Sequence, residues 1–253
     1  MKFYLNKMEF IDTNLPLDIS IPLSNTSENP RAWHVDPPVF EPVMENGFVG
    51  SVAKGGRVNF RNIFFNPHGH GTHTECLGHI TTEVFSVNNS MKSYFFKAEV
   101  ITLEPSIQLN DYDQKEDRII LKEDLIQALK GKNCEALVLR SLPNDNSKNQ
   151  LNYTQTNPAY MHVDCVDVLN QFGIKHLLLD LPSVDREEDG GELVFHHAFW
   201  QVPENPQFDK TITELIYVND SILDGSYILE MQIAPFENDA SPSRPVLYEI
   251  FGQ

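Results

Sequence analysis

Residues 136–180 read ALVLRSLPNDNSKNQLNYTQTNPAYMHVDCVDVLNQFGIKHLLLD and contain two short apolar runs on either side of a helical pattern. The runs, at 136–139 and 177–179, have the length and composition that are typical of buried strands. Between them, residues 162–172 place apolar side chains at helical spacing, and Gly173 follows where a helix would end. A strand, a helix and a second strand in this order predict a crossover that joins two parallel strands.

Two further patterns extend this interpretation. Residues 141–158 are polar and irregular, and a loop of that length in a compact domain is usually functional or mobile. Apolar runs elsewhere predict strands at 96–103, 215–218, 228–233 and 246–251, and a helix at 121–130 that ends at Gly131. We find no repeat and no sharp break in composition, so the elements predict a single mixed α/β domain over residues 1–253.

The composition limits the possible partners. A formal net charge of −17 repels nucleic acid and anionic membrane surfaces, so neither is expected as a partner. No apolar stretch approaches the roughly 18 residues of a membrane-spanning helix. The three cysteines form no C-x-x-C pair, which fits a reducing compartment. These features together predict a cytoplasmic protein.

Four histidines and a glutamate lie close together in the segment NPHGHGTHTECLGHI, residues 66–80. Neutral imidazole and carboxylate groups are standard ligands of zinc, manganese and iron, so this cluster predicts a divalent metal site. The simpler alternative is a polar surface loop whose histidines have no function. Four histidines and a glutamate within so short a segment make that alternative a poor explanation. The candidate ligands are His68, His70, His73, Glu75 and His79.

The spacing within the cluster predicts an extended chain with a kink. Residues 73, 75 and 79 share one parity and would point to the same side of an extended chain, whereas residues 68 and 70 share the other. All of them can converge only if the chain bends between the two sets. The glycines of the HGHGTH stretch lie where such a bend would be tolerated.

Other catalytic motifs do not fit the chain. The sequence contains no H-E-x-x-H, no G-x-S-x-G and no phosphate-binding G-x-x-x-x-G-K-[ST] loop. The G-x-G pair in the cluster lacks the third glycine and the context of a dinucleotide site. Ser183 and Asp185 could suggest a serine-type site with a nearby histidine, although capping and hydrogen bonding in loops are commoner roles for such residues.

In the histidine-rich segment at 66–80, the chain resembles the cyclase family of metal-dependent hydrolases, which includes bacterial kynurenine formamidase and isatin hydrolase. The stretch GTHTECLGH, residues 71–79, is similar to the body of the family signature H-x-G-[TA]-H-x-D-x-P-x-H. Similar stretches follow in family order at LDISIPLS (17–24), ALVLRS (136–141), FGIKHLLLDLPSVD (172–185), HHAFW (196–200) and ASPSRPVL (240–247). The resemblance covers most of the chain and implies a swivelling β/β/α-type fold, with a mixed sheet or partly open barrel and flanking helices.

Residue by residue, the resemblance implies roles for five side chains. His73 matches a metal ligand of the family. Glu75 stands at the position of a family aspartate, a ligand that can bridge two metals. His79 matches the last histidine of the signature, a second-site ligand or a proton carrier. His196 and Glu214 resemble ligands or acid/base groups of the same centre.

Three departures from the family pattern leave alternatives open. Strict alignment places a glycine at the first histidine, so that ligand is either His68 or His70, and we favour His68. Glu75 is one methylene longer than aspartate, which can change the number or identity of the metals. The insertion QVPENPQFDK, residues 201–210, lengthens the separation between the histidine pair at 196–197 and the later glutamate, and either histidine of the pair can be the functional one.

The sequence therefore predicts a metal-dependent amidohydrolase, similar to arylformamidases, that cleaves an amide or lactam of a small aromatic or cyclic substrate. A divalent metal, zinc or manganese, would lower the pKa of bound water from about 15.7 towards about 7. His79, His196 or Glu214 would then carry a proton to the leaving nitrogen. The resemblance also implies a homodimer or homotetramer. Two alternatives remain: a metal- or small-molecule-binding protein without hydrolase activity, and a cyclase or dehydratase of the same fold.

Overall fold

A computed structural model of the chain describes residues 1–111 and 113–252. Four α-helices are present in these residues: α1 Val87–Ser90, α2 Lys122–Leu129, α3 Cys165–Gln171 and α4 Val194–Trp200. The strands, in chain order, are β1 Lys2–Tyr4, β2 Glu9–Asp12, β3 Leu17–Asp18, β4 Val39–Pro42, β5 Met44–Glu45, β6 Phe48–Val49, β7 Arg61–Phe64, β8 His73–Glu75, β9 Phe95–Leu103, β10 Ser106–Leu109, β11 Glu116–Ile120, β12 Ala136–Ser141, β13 Tyr160–Met161, β14 His176–Leu179, β15 Thr211–Glu214, β16 Gly225–Ile233, β17 Ala240–Glu249 and β18 Phe251–Gly252.

Seven strands form a closed barrel in the order β16, β9, β12, β14, β15, β8 and β17. The four central strands β9, β12, β14 and β15 run parallel, and the remaining pairs are antiparallel. The predicted mixed α/β class is confirmed. The barrel is closed rather than partly open, because β16 pairs with β17 along its length as well as with β9.

Alternation along the barrel strands separates two apolar layers. Side chains such as Val138 and Leu178 fill the barrel interior. Their neighbours Leu137 and Leu177 point outward and pack in a second cluster with α2, α3 and α4. Because successive side chains of a strand face opposite sides, the parallel strands are buried on both faces, as crossover helices require. In the described part of the chain, no helix has the length and apolar character needed to cross a bilayer.

The crossover predicted at 136–180 is present, with α3 between the parallel strands β12 and β14. Both predicted helix ends are also confirmed, since Gly131 and Gly173 adopt φ of 77° and 73° just beyond α2 and α3. The strand predicted at 215–218 is wrong. Strand β15 ends at Glu214 because Leu215 adopts φ of 53°, a left-handed conformation that interrupts an extended chain. Helix α4 was not predicted.

His176 at the start of β14 provides a test of how burial affects pH stability. Its ring is buried, 4.0 Å from the Phe96 ring centre, with Nδ1 2.9 Å from Thr211 Oγ1. Burial lowers the pKa of His176 to about 4 from its ordinary 6.5. The unfolded chain therefore binds a proton more readily, and folding stability should fall as the pH drops from 6.5 towards 4.

We expect His176→Gln to reduce this pH-dependent loss. We measure the free energy of unfolding with urea at pH 7 and at pH 4.5. Its decrease between these two pH values should be about 2–3 kcal/mol smaller in the variant than in the wild type. His162→Gln, at a partly exposed position, serves as the control and should leave the pH dependence unchanged. An unchanged pH dependence in His176→Gln would contradict the expectation.

Candidate metal centre

Strand β8 lies between β15 and β17 and presents the core of the candidate site on the outer face of the barrel. Thr74 points inward and its hydroxyl lies 2.8 Å from that of Thr213 in β15. The neighbours His73 and Glu75 therefore point outward. Glu214 is the register partner of His73 in β15, so its side chain lies on the same face. The extended conformation predicted for residues 73–75 is present.

His73, Glu75 and Glu214 form the first group of donors, with ligand atoms within 4.8 Å of one another and all three side chains buried. His73 Nδ1 donates a hydrogen bond to the Gly71 carbonyl at 3.0 Å. The other ring nitrogen, Nε2, therefore keeps its lone pair for a metal. His73 Nε2 is 3.3 Å from Glu214 Oε2, and the Val184 amide donates to Glu214 Oε1 at 3.2 Å. The surrounding backbone thus orients both ligands.

His68, Glu75 and His79 form a second group with the same mutual proximity. His68 Nδ1 lies 2.9 Å from Glu75 Oε2, and His79 Nε2 lies 4.0 Å from the same oxygen. The expected kink occurs at Gly71, whose φ of 81° favours glycine, and a 3₁₀ turn over Leu77–Ile80 carries His79 back to the cluster. Glu75 belongs to both groups.

His70 does not join either group in the described part of the chain. The Asn66 amide donates to His70 Nδ1 at 2.8 Å, and His70 Nε2 donates to the Asp36 carbonyl at 2.7 Å. Both ring nitrogens are therefore used by the backbone, which leaves no lone pair for a metal. Of the two open alternatives for the first histidine, the geometry favours His68 and corrects the inclusion of His70 among the ligands.

His196, on α4, reaches the cluster from the other side of Glu75. Its Nδ1 is 2.6 Å from Asp185 Oδ2, and its Nε2 is 3.1 Å from Glu75 Oε1. Asp185 also accepts the backbone amides of Phe195 and His196, which is the capping role expected of it. The alternative histidine of this pair, His197, instead places Nδ1 3.2 Å from the Val202 carbonyl.

Asp239 is a member of the cluster that the sequence did not reveal. Its Oδ2 lies 2.8 Å from His68 Nε2 and 3.5 Å from His79 Nδ1. The residue directly precedes β17, whose first residue, Ala240, pairs with Glu75. No local motif marks Asp239, and only the knowledge that β17 pairs with β8 could have indicated it.

The charges of the cluster are strongly coupled. Burial lowers the pKa of His68, but hydrogen bonds to Asp239 and Glu75 outweigh burial and raise it to about 10. Burial likewise lowers the pKa of His196, but hydrogen bonds to Asp185 and Glu75 raise it to about 10. Burial raises the pKa of Glu75, but His79 and the other histidines hold it well below its usual range. Burial and the neighbouring Glu75 carboxylate raise the pKa of Glu214.

Two buried atoms of the cluster that could bind a metal have no hydrogen-bond partner in the described part of the chain. His73 Nε2 and Glu75 Oε2 have no hydrogen-bond partner among residues 1–111 and 113–252, although ionisable atoms lie near both. An unsatisfied buried polar atom is costly, and two carboxylates that face each other repel. A divalent cation would satisfy both atoms and offset the repulsion, so the donors of the cluster fit a metal ion.

Comparison with known proteins places this geometry in a wider context. Residues 17–186 match the family model Cyclase, described as "Putative cyclase". A predicted metal-dependent hydrolase from Bacillus stearothermophilus is similar, with 15% identity and a TM-score of 0.60 over 92% of this chain and 98% of that chain. Isatin hydrolase A from Ralstonia solanacearum shows 12% identity and a TM-score of 0.64 over 92% and 91% of the two chains.

Isatin hydrolase A from Labrenzia aggregata, bound to benzyl benzoate, shows 11% identity and a TM-score of 0.63 over 92% of this chain and 93% of that chain. At these identities the likeness establishes the fold alone. No curated protein matches the chain.

Proposed function

The chain belongs to the cyclase family, whose model it matches over more than half of its length, and from this premise we propose that it is a metal-dependent hydrolase. The observation that carries the proposal is the position of Glu75, which is shared by two groups of converging imidazole and carboxylate donors. A carboxylate in that position can bridge two ions. We propose zinc or manganese as the metal, since imidazole and carboxylate groups are ligands of both.

A divalent ion, when bound, supplies Lewis-acid activation of water and polarisation of a substrate carbonyl. His73, Glu75 and Glu214 would hold it in the first group, and His68 and His79 with the shared Glu75 would hold it in the second.

Two histidines are suited to move the proton that hydrolysis requires. Asp185 holds the Nδ1 side of His196, so His196 Nε2 faces the cluster and can accept or donate a proton there. The side chain of His79 is 29% exposed, which allows it to exchange protons with solvent. Glu214, held by the Val184 amide, is the third candidate for this role. Cleavage of a C–N bond needs such a proton at the leaving nitrogen.

We propose an amide or lactam of a small aromatic or cyclic compound as the substrate. Support comes from the fold, which the chain shares with isatin hydrolases, proteins named for a cyclic amide. The test combines elemental analysis with hydrolysis assays on isatin, N-formylkynurenine and a simple lactone, for the wild type and His73→Ala. We expect metal and turnover in the wild type and a loss of both in the variant.

The outcomes of this test separate the alternatives. Metal with no turnover of any carbonyl compound would favour a binding protein over a hydrolase. Equal and minimal metal in the wild type and His73→Ala would contradict the proposed metal centre. Loss of water from a substrate, or ring closure, detected by product analysis would indicate the cyclase or dehydratase alternative.

Asp239 should act on metal affinity by orienting His68. A carboxylate that binds the second nitrogen of a ligand histidine fixes the ring, and its loss typically costs about 10- to 100-fold in metal affinity. We expect Asp239→Asn to show a loss of this size in competition with a chelator. The exposed Asp167→Asn is the matched control. Unchanged affinity in Asp239→Asn would leave Asp239 without this role.

We also propose that the protein is a homodimer or homotetramer. Residues 39–64 form an arm in which β4 pairs only with β7 among the described strands. The arm carries exposed apolar side chains on both strands and their connection, including Val39, Phe60 and Phe64. Monomeric proteins rarely expose such concentrations of apolar side chains, and a second copy of this chain is the partner that the family resemblance implies.

Light scattering after size-exclusion chromatography tests this proposal. We expect an oligomer in the wild type and a shift towards monomer in Phe60→Asp/Phe64→Asp. The control is Leu223→Asp, another exposed apolar position outside the arm. A monomeric wild type at about 50 μM would overturn the proposal, because obligate interfaces remain associated far below that concentration.

A further inference from the structure

The polar segment at 141–158, which the metal centre does not use, encloses a cavity of about 210 Å³. The cavity lies at the carboxyl ends of the parallel strands β12 and β14, which contribute Ser141 and the following residue Asp180. Ligands of α/β proteins commonly bind at this end of parallel strands. None of the metal-cluster residues lines the cavity, so it is a separate feature of the fold.

A buried ion pair forms the rigid part of the cavity wall. Lys148 Nζ donates to Asp180 Oδ2 at 2.7 Å, to the Ser141 carbonyl at 2.6 Å and to the Ser141 hydroxyl at 3.1 Å. The Ser141 amide donates to both oxygens of Asp180 at 3.0 Å. All three ammonium hydrogens have acceptors, so the pair shapes the cavity and leaves no donor of Lys148 for a ligand.

Two side chains that line the same cavity have donor groups without partners in the described part of the chain. Tyr153 is only 7% exposed, yet its hydroxyl forms no hydrogen bond with any residue that the structure describes. Arg118, an exposed residue of β11, lines the cavity and makes no ion pair within the described ranges. A hydroxyl that lines a cavity without a protein partner can bond a ligand, and an unpaired guanidinium favours a planar anion. Both groups can donate hydrogen bonds to the oxygens of a carboxylate.

The remaining wall is apolar and restricts the size of a ligand. Leu151, Pro158 and the buried Leu181 line the cavity beside these donors. A volume of about 210 Å³ lies below the range of pockets for drug-sized molecules and suits a single ring. We infer that this cavity binds a small organic carboxylate with an apolar body, which Arg118 and the Tyr153 hydroxyl recognise through its oxygens.

The probe for this inference is benzoate, titrated calorimetrically into the purified full-length protein with its metal. We expect saturable binding of benzoate and none of benzyl alcohol, its uncharged counterpart. Arg118→Gln should weaken benzoate binding about 10-fold or more, and Tyr153→Phe, which removes only the hydroxyl, about 3- to 10-fold. Neither variant should lose stability to urea, because neither removes an existing hydrogen bond or ion pair.

Two controls distinguish this cavity from other sites. Arg57→Gln removes another exposed arginine, which lies in the arm, and should bind benzoate like the wild type. His73→Ala tests whether the carboxylate binds at the metal centre, and it should retain benzoate binding. The inference is overturned if benzoate does not saturate by about 10 mM, a concentration corresponding to very weak binding. Binding lost in His73→Ala, or unaffected by both cavity variants, overturns it equally.

Discussion

Glu75→Gln is expected to release metal from both donor groups and to reduce hydrolysis by at least about 10³-fold, because the several kcal/mol of transition-state stabilisation that a metal supplies would be lost. Glu75 is the only side chain that the two groups have in common among the described residues. An amide cannot neutralise a cation or bridge two of them. Elemental analysis and turnover, measured on the same preparation, check the result.

Two further variants sharpen this prediction. Glu83→Gln makes the same change at an exposed position eight residues later and should keep both metal and activity. Glu75→Asp retains the charge and should preserve at least part of the metal content. Full metal and full activity in Glu75→Gln would contradict the central role of this carboxylate, and circular dichroism would show whether any loss is due to misfolding.

Lys148→Met should cost about 3–5 kcal/mol of unfolding free energy, because it leaves the Asp180 carboxylate buried without its cation. Burial already raises the pKa of Asp180 despite the neighbouring ammonium. Without Lys148 the carboxyl should protonate more easily, so the loss should be smaller at pH 5 than at pH 7. Urea unfolding at the two pH values measures both effects.

The exposed ion pair between Lys122 and Asp164 provides the matched control. Its Nζ and Oδ2 atoms are 3.1 Å apart, similar to the buried pair, but the two side chains are 43% and 46% exposed. We expect Lys122→Met to cost less than about 1 kcal/mol. The double variant Lys148→Met/Asp180→Asn should recover part of the stability, since it removes the uncompensated charge. Equal costs for the two lysines would show that burial does not govern the pair.

The sequence predicted those parts of the fold that depend on local periodicity. The crossover at 136–180 could be identified because its two apolar runs and its helix are neighbours in the chain. The closure of the barrel depends on pairing between β16 and β9 and between β17 and β8, whose partners lie far apart in sequence. The end of β15 could not be predicted, because Leu215 carries no sequence signal for a left-handed conformation.

In the candidate site too, local sequence indicated some residues, whereas others depend on contacts between distant parts of the chain. The spacing of the histidines and Glu75 indicated that their side chains converge. Which of the first two histidines reaches Glu75 depends on the kink at Gly71, and the structure places His68 there. His196 and Glu214 could be proposed only through the family resemblance, since each lies more than a hundred residues from the segment. Asp239 contacts His68 across 171 positions, and no motif pointed to it.

Strand β8 is hydrogen-bonded on both edges, to β15 and to β17. Strand β8 carries His73 and Glu75, and its neighbour β15, which also pairs on both edges, carries Glu214. The sheet therefore fixes three of the proposed ligands, and the cation does not have to assemble its coordination sphere from a flexible chain. We expect that stripping the protein with a chelator leaves its architecture intact, and that adding the ion back restores the centre without refolding.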